Sequence, residues 1–127
     1  MERFDFEIRG ERYQFEVPPV GKTRPFFFKL SNKFGAAFTE NRENLIQVVI
    51  KNLDENLWSD AVTLFTPYTW YEKDGLWPNL LSDKLHWDAK GKDALGDQYE
   101  WLRFCMQNTY SDFLARVVKS FQGTSTP

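Results

Sequence analysis

An α+β fold that is mainly α, with an N-terminal antiparallel β-hairpin followed by a bundle of about four or five helices, is what the sequence predicts. Two observations carry that expectation. Apolar and charged residues alternate on both sides of a short glycine-bearing link near the start of the chain. Apolar residues then recur at helical spacing through much of the rest, ending in a long stretch over residues 97–121.

In the first stretch Phe4, Phe6 and Ile8 alternate with Arg3, Asp5 and Glu7, and after Arg9-Gly10-Glu11 the pattern resumes with Tyr13, Phe15 and Val17 against Arg12, Gln14 and Glu16. Period-two patterning about a glycine-bearing link predicts two antiparallel strands with one aromatic and one charged face. Pro18-Pro19 ends the second strand. Two strands alone are marginal in water, so the aromatic face must pack on helices or on another copy's sheet. Thr23-Arg24-Pro25 reads as a helix start, and Phe26, Leu30, Phe34, Ala37 and Phe38 share the face that follows. Phe27 and Phe28 widen that face beyond what a one-sided helix needs. Gly35 either ends the helix near Phe34 or permits close packing.

Asn41 is placed to cap a helix whose Leu45, Ile46, Val48, Val49, Ile50 and Leu53 are apolar all round, which marks it as the buried central helix. Asp54-Glu55-Asn56 interrupts it, and Leu57, Trp58, Ala61, Val62, Leu64 and Phe65 predict a further short helix ending before Pro67. Residues 66–96 are the least regular. They carry the turn signal Lys73-Asp74-Gly75, the helix-breaking Leu76-Trp77-Pro78 and three of the five tryptophans, Trp70, Trp77 and Trp87. In the last stretch Asp97 with Glu100 has the form of a capped helix start, and Leu102, Cys105, Thr109, Phe113, Val117 and Phe121 form the core stripe. Trp101, Phe104 and Tyr110 lie on the edge of that helix which the stripe does not need, an edge expected either to hold the tryptophan-rich segment or to meet a partner. One domain spans residues 1–127, with a hairpin over 1–20, a helical body over 23–121 and a flexible tail over 122–127.

Twelve Phe, five Trp and five Tyr are hard to hide in a domain of 127 residues, so part of this ring surface is expected to be exposed. The candidate partner-binding residues are Phe27, Phe28, Trp70, Tyr71, Trp77, Trp87, Trp101 and Phe104. For the irregular segment the alternative stays open that its rings pin a loop to the core. A net charge of −2 argues against nucleic acid as a partner. No apolar run has the length of a signal peptide or a membrane span, so a soluble cytoplasmic protein without a membrane partner is expected.

Little points to chemistry. His86 is the one histidine and Cys105 the one cysteine, and Cys105 lies on an apolar stripe, where a thiol is an inert small hydrophobe. Asp83, Asp88 and Asp93 lack the glycine and glutamate of a calcium loop. Gly91-Lys92 lacks the earlier glycine and the following hydroxyl residue of a phosphate loop. No catalytic, metal or cofactor residue is assigned. The chain reads as a non-enzymatic binding or assembly protein.

Two fragments resemble a known family. Phe4-Asp5-Phe6-Glu7-Ile8-Arg9-Gly10-Glu11-Arg12-Tyr13 followed by Pro18-Pro19 and a helical body is similar to the tail assembly chaperones of long-tailed bacteriophages. So is Leu85-His86-Trp87 leading through Gly96-Asp97-Gln98-Tyr99-Glu100-Trp101-Leu102 to Asn108-Thr109-Tyr110-Ser111-Asp112-Phe113-Leu114. The resemblance covers residues 2–20 and 85–115. It implies a protein that binds the hydrophobic tape measure protein, keeps it soluble, helps recruit tail tube protein and self-associates in the host cytoplasm. It also implies that a longer form can arise by ribosomal frameshifting. A structural virion protein, such as a tail or head completion or adaptor subunit, and a small regulatory protein-binding inhibitor are the alternatives.

Overall fold

The computed structural model describes residues 2–40 and 45–124. The expected fold class is what it shows: a small antiparallel sheet followed by helices. Strands β1 (Arg3–Ile8) and β2 (Glu11–Glu16) pair in the register Arg3 with Glu16, Phe4 with Phe15, Phe6 with Tyr13 and Ile8 with Glu11. Arg9 and Gly10 form the two-residue turn between them, both with positive φ (47° and 85°). That turn matches the right-handed twist of the strands and fixes the register. Arg9 is not a residue that favours this conformation. Its side chain is held from outside the hairpin: Nε donates to both carboxylate oxygens of Asp97 at 2.9 and 3.1 Å, and Nη1 pairs with Asp93 at 3.0 Å.

A third strand, β3 (Thr69–Tyr71), extends the sheet in the order β1-β2-β3, where sequence reading expected irregular chain. Tyr13 faces Tyr71 and Phe15 faces Thr69. After β3 the chain reverses through Asp74 and Gly75, again both at positive φ, with Lys73 and Leu76 exchanging both backbone hydrogen bonds. The return lays Pro78 and Asn79 along the outer edge of β3, where the Pro78 carbonyl accepts from Tyr71 N–H at 3.2 Å.

Helix α1 (Val20–Glu40) starts directly after Pro18-Pro19 and not at Thr23. The Pro19 carbonyl accepts from the N–H groups of Lys22 and Thr23, so the first turn is already closed before Pro25. Pro25 therefore lies inside the helix, past its first turn, and the Gly21 carbonyl that loses its donor is on an exposed residue that water can reach. The helix kinks at Phe34 (φ −116°, ψ 18°), next to Gly35, and continues beyond it. Asn41 lies outside the described residues, as do the side chains of Ala37, Phe38, Leu45, Val117 and Phe121.

The expected central helix, α2 (Leu45–Lys51), has seven residues, enough to bury Val49 and Ile50 but too short to organise a core. Helix α3 (Glu55–Phe65) is capped by Asp54, whose side chain accepts from Leu57 N–H at 2.8 Å. Three short 3-10 turns follow in the irregular segment, at Thr66–Tyr68, Leu80–Ser82 and Asp88–Asp93.

The central element is α4 (Ala94–Thr124), 31 residues and so about 46 Å long at ~1.5 Å per residue. It begins three residues before the expected cap, as Asp97 is occupied by Arg9, and it includes residues 122–124 of the expected tail. Its buried face is wider than the expected stripe. Trp101, Leu102, Cys105, Met106 and Tyr110 are all buried, because the sheet covers one flank and helices α1 to α3 the other. Phe104 stacks on Phe6 at 4.0 Å, Trp58 Nε1 donates to Gln98 at 2.8 Å, and the Tyr110 hydroxyl donates to the Thr23 carbonyl at 2.9 Å.

Candidate functional site: a polar seam and an aromatic ridge

The eight candidate aromatic residues separate into three environments. Tyr71 and Trp101 are buried, which removes both from a surface that meets a partner. Pairing of β3 with β2 turns Tyr71 inward, and the wide buried face of α4 takes in Trp101. Trp87 and Phe104 are half-buried against the core. Trp87 packs on Trp101 at 5.2 Å between ring centroids, so the edge of α4 does hold the tryptophan-rich segment.

Trp70 and Trp77 lie on the other side of the sheet. Arg3 spreads its guanidinium over Trp70 at 3.7 Å, and Arg12 approaches Trp77 at 5.6 Å. Both rings are half-buried and already carry a cation on one face.

Phe27 and Phe28 form the third group, joined by Phe113, which the helical spacing had placed in the core. Phe28 is 57% exposed and Phe113 46% exposed. Phe27 lies between them, with its ring 6.2 Å from Phe28, 4.9 Å edge-on to Phe113 and 5.9 Å from Tyr110. Phe113 sits on the core side of α4 by periodicity, yet it is exposed. The three rings make a ridge where α1 meets α4.

Around His86 the hairpin and the irregular segment meet in a polar seam. The Tyr13 hydroxyl donates to Glu11 and lies 2.8 Å from His86 Nε2. With its proton directed at Glu11, the Tyr13 oxygen accepts from His86, which sets the neutral imidazole as the Nε2–H tautomer. Lys90 Nζ donates to the same Glu11 oxygen at 2.7 Å. On the other side, Tyr71 donates to Asp83 at 2.9 Å, and that carboxylate faces His86 Nδ1 at 3.7 Å.

Burial lowers the pKa of His86, although Glu11 and Asp83 act against it. Burial also raises Tyr13, and the bond to Glu11 raises it further. Burial alone lifts the Glu11 carboxyl, but the hydrogen bonds from Lys90 and Tyr13 outweigh that and hold it below its ordinary value. A shallow groove of about 410 Å³ lined by Arg9, Gly10, Glu11, Arg12, Glu72 and Asp74 runs beside the seam. The seam itself contains no hydroxyl or thiol of the serine, threonine or cysteine type. Its evident effect is structural, joining β2 and β3 to the chain over residues 83–90. Cys105 is fully buried against Thr69, with its thiol pushed well above the ordinary range by burial. Among the described residues no group of three or more His, Cys, Asp or Glu side chains could hold a metal ion, and no helix is long and apolar enough to cross a membrane.

The seam makes stability depend on pH. A histidine kept neutral in the fold binds its proton more readily when unfolded, so its contribution is present above about 6.5 and is lost as pH falls toward its depressed folded value. Glu11 adds a second loss below 4.5, its ordinary value. Urea midpoints are expected to fall between about pH 7.5 and about pH 5. His86→Gln, which keeps a donor toward Tyr13 without titrating, should flatten that window. A flat wild-type profile would show that the imidazole does not govern it.

No family model, curated protein or solved structure matches the chain.

Proposed function

We propose that the chain is a non-enzymatic tail assembly chaperone of a long-tailed bacteriophage, working in the host cytoplasm. It binds the hydrophobic tape measure protein, keeps it soluble and helps recruit tail tube protein. The observation that carries the reading is the ridge on the two longest helices, where Phe28 and Phe113 are exposed on either side of the half-buried Phe27. Large rings that stay exposed side by side in a small domain are suited to the apolar face of a partner helix. The resemblance over residues 2–20 and 85–115 supplies the identity of that partner.

Co-expression tests the proposal. The tape measure protein encoded beside this chain should become soluble and co-purify with it, and the chain should be absent from finished tails. No complex and no gain in solubility would contradict the reading. Recovery of the chain from purified particles would favour a structural virion subunit instead.

A further inference from the structure

We propose that the free edge of β1 is a docking site for an extended basic segment of a partner, which adds a fourth strand to the sheet. The opposite edge is closed, since the Pro78 carbonyl and Asn79 already pair along β3. On β1 the pairing pattern shows which backbone groups are open. A two-residue turn makes Ile8 and Glu11 a hydrogen-bonded pair, so by alternation Phe6–Tyr13 and Phe4–Phe15 are bonded pairs too. Consistent with this, the Arg12 carbonyl faces the other way and accepts from Glu72 N–H at 2.9 Å. The N–H and C=O groups of Arg3, Asp5 and Glu7 therefore point out of the sheet, with no backbone partner among the described residues.

Charge at this edge selects the occupant. Both arginines on the outer face lean away from it: Arg3 crosses β2 to Gln14 and Trp70, and Arg12 binds Glu72 at 2.8 Å. Asp5 and Glu7 are left exposed, and neither is in an ion pair among the described residues even though Arg12 stands across from Glu7. A second copy of β1 centred on Phe6 would set Asp5 against the copy's Glu7, and one centred on Asp5 would set the two Asp5 carboxylates together, and like charges placed opposite each other on paired strands repel. A strand with cations at alternate positions meets Asp5 and Glu7 at the spacing of one face, while its apolar positions fall beside the half-buried Phe4 and Phe6. This surface is separate from the helical ridge, and the inference does not depend on the chaperone reading.

Amide NMR on the full chain tests it, with a capped peptide of alternating lysine and valine as the probe and its glutamate–valine counterpart as the control. The lysine peptide should bind at least about tenfold more tightly, shifting the amides of Arg3, Asp5 and Glu7 and slowing their exchange. Asp5→Pro removes one outward N–H without touching the β1–β2 ladder and should abolish binding. Should that variant fail to fold, Asp5→Lys with Glu7→Lys keeps every backbone donor and should reverse the preference toward the glutamate peptide. No binding, equal affinity for both peptides, or binding that leaves these three amides unmoved would overturn the proposal. Protection of the same amides that grows with protein concentration in the absence of peptide would assign the edge to a second copy and overturn it as well.

Discussion

Trp101→Ala is expected to cost about 3–5 kcal/mol, the range for deleting a large buried ring. The side chain has no exposed surface and sits where the tryptophan-rich segment, the sheet and α4 meet. Its Nε1 donates to the Thr69 hydroxyl at 3.0 Å, and that hydroxyl in turn donates to the Phe65 carbonyl. The substitution therefore opens a cavity, removes the surface on which Trp87 rests and takes a donor from Thr69. With total stability of a small domain on the order of 5–15 kcal/mol, the variant should be partly unfolded at physiological temperature. Trp101→Phe keeps most of the ring and loses the hydrogen bond, at a cost of about 1–2 kcal/mol. Urea denaturation of the two variants beside wild type gives both values. A loss below about 1 kcal/mol for Trp101→Ala would show that α4 is not the centre of the core.

Phe28→Glu combined with Phe113→Glu is expected to have the opposite profile. Phe28 is mostly in water and Phe113 about half so, and stability should change by no more than about 1 kcal/mol per site. Binding to the tape measure protein should fall by at least about thirtyfold, the effect of losing roughly 2 kcal/mol at the centre of an interface. The contrast with Trp101 separates a ring that holds the fold from rings that the fold presents. A double variant that unfolds, or one that binds as wild type does, would remove the ridge from the account.

The hairpin was legible because its information is local. Alternation fixes the two faces, and a two-residue link with glycine fixes the register. Strand β3 was not legible, since three residues between Pro67 and Pro78 carry too little of a period-two pattern, although the Asp74-Gly75 reversal that follows was visible as a turn. The start of α4 misled for a different reason. Asp97 and Glu100 have the spacing of a cap, but the Asp97 carboxylate is committed to Arg9, 88 residues away in sequence, and no local pattern contains that pairing.

Within the candidate site, Phe27 and Phe28 could be singled out because three consecutive phenylalanines on a helix cannot all face inward. Phe113 could not, because it lies on the apolar stripe of α4, where helical spacing alone places a residue in the core. Trp101 and Tyr71 stood among the candidate partner contacts for the converse reason: what buries them is a sheet partner and a flanking segment whose positions depend on the whole fold. The seam around His86 joins residues from three separate stretches, and its one sequence signal was the single histidine.

The most direct test of the functional claim is the soluble fraction of tape measure protein co-expressed with this chain and, in parallel, with the Phe28→Glu, Phe113→Glu variant. Soluble complex is expected with wild type and aggregated tape measure protein with the folded variant. Equal solubility in the two cultures, or none in either, would contradict it.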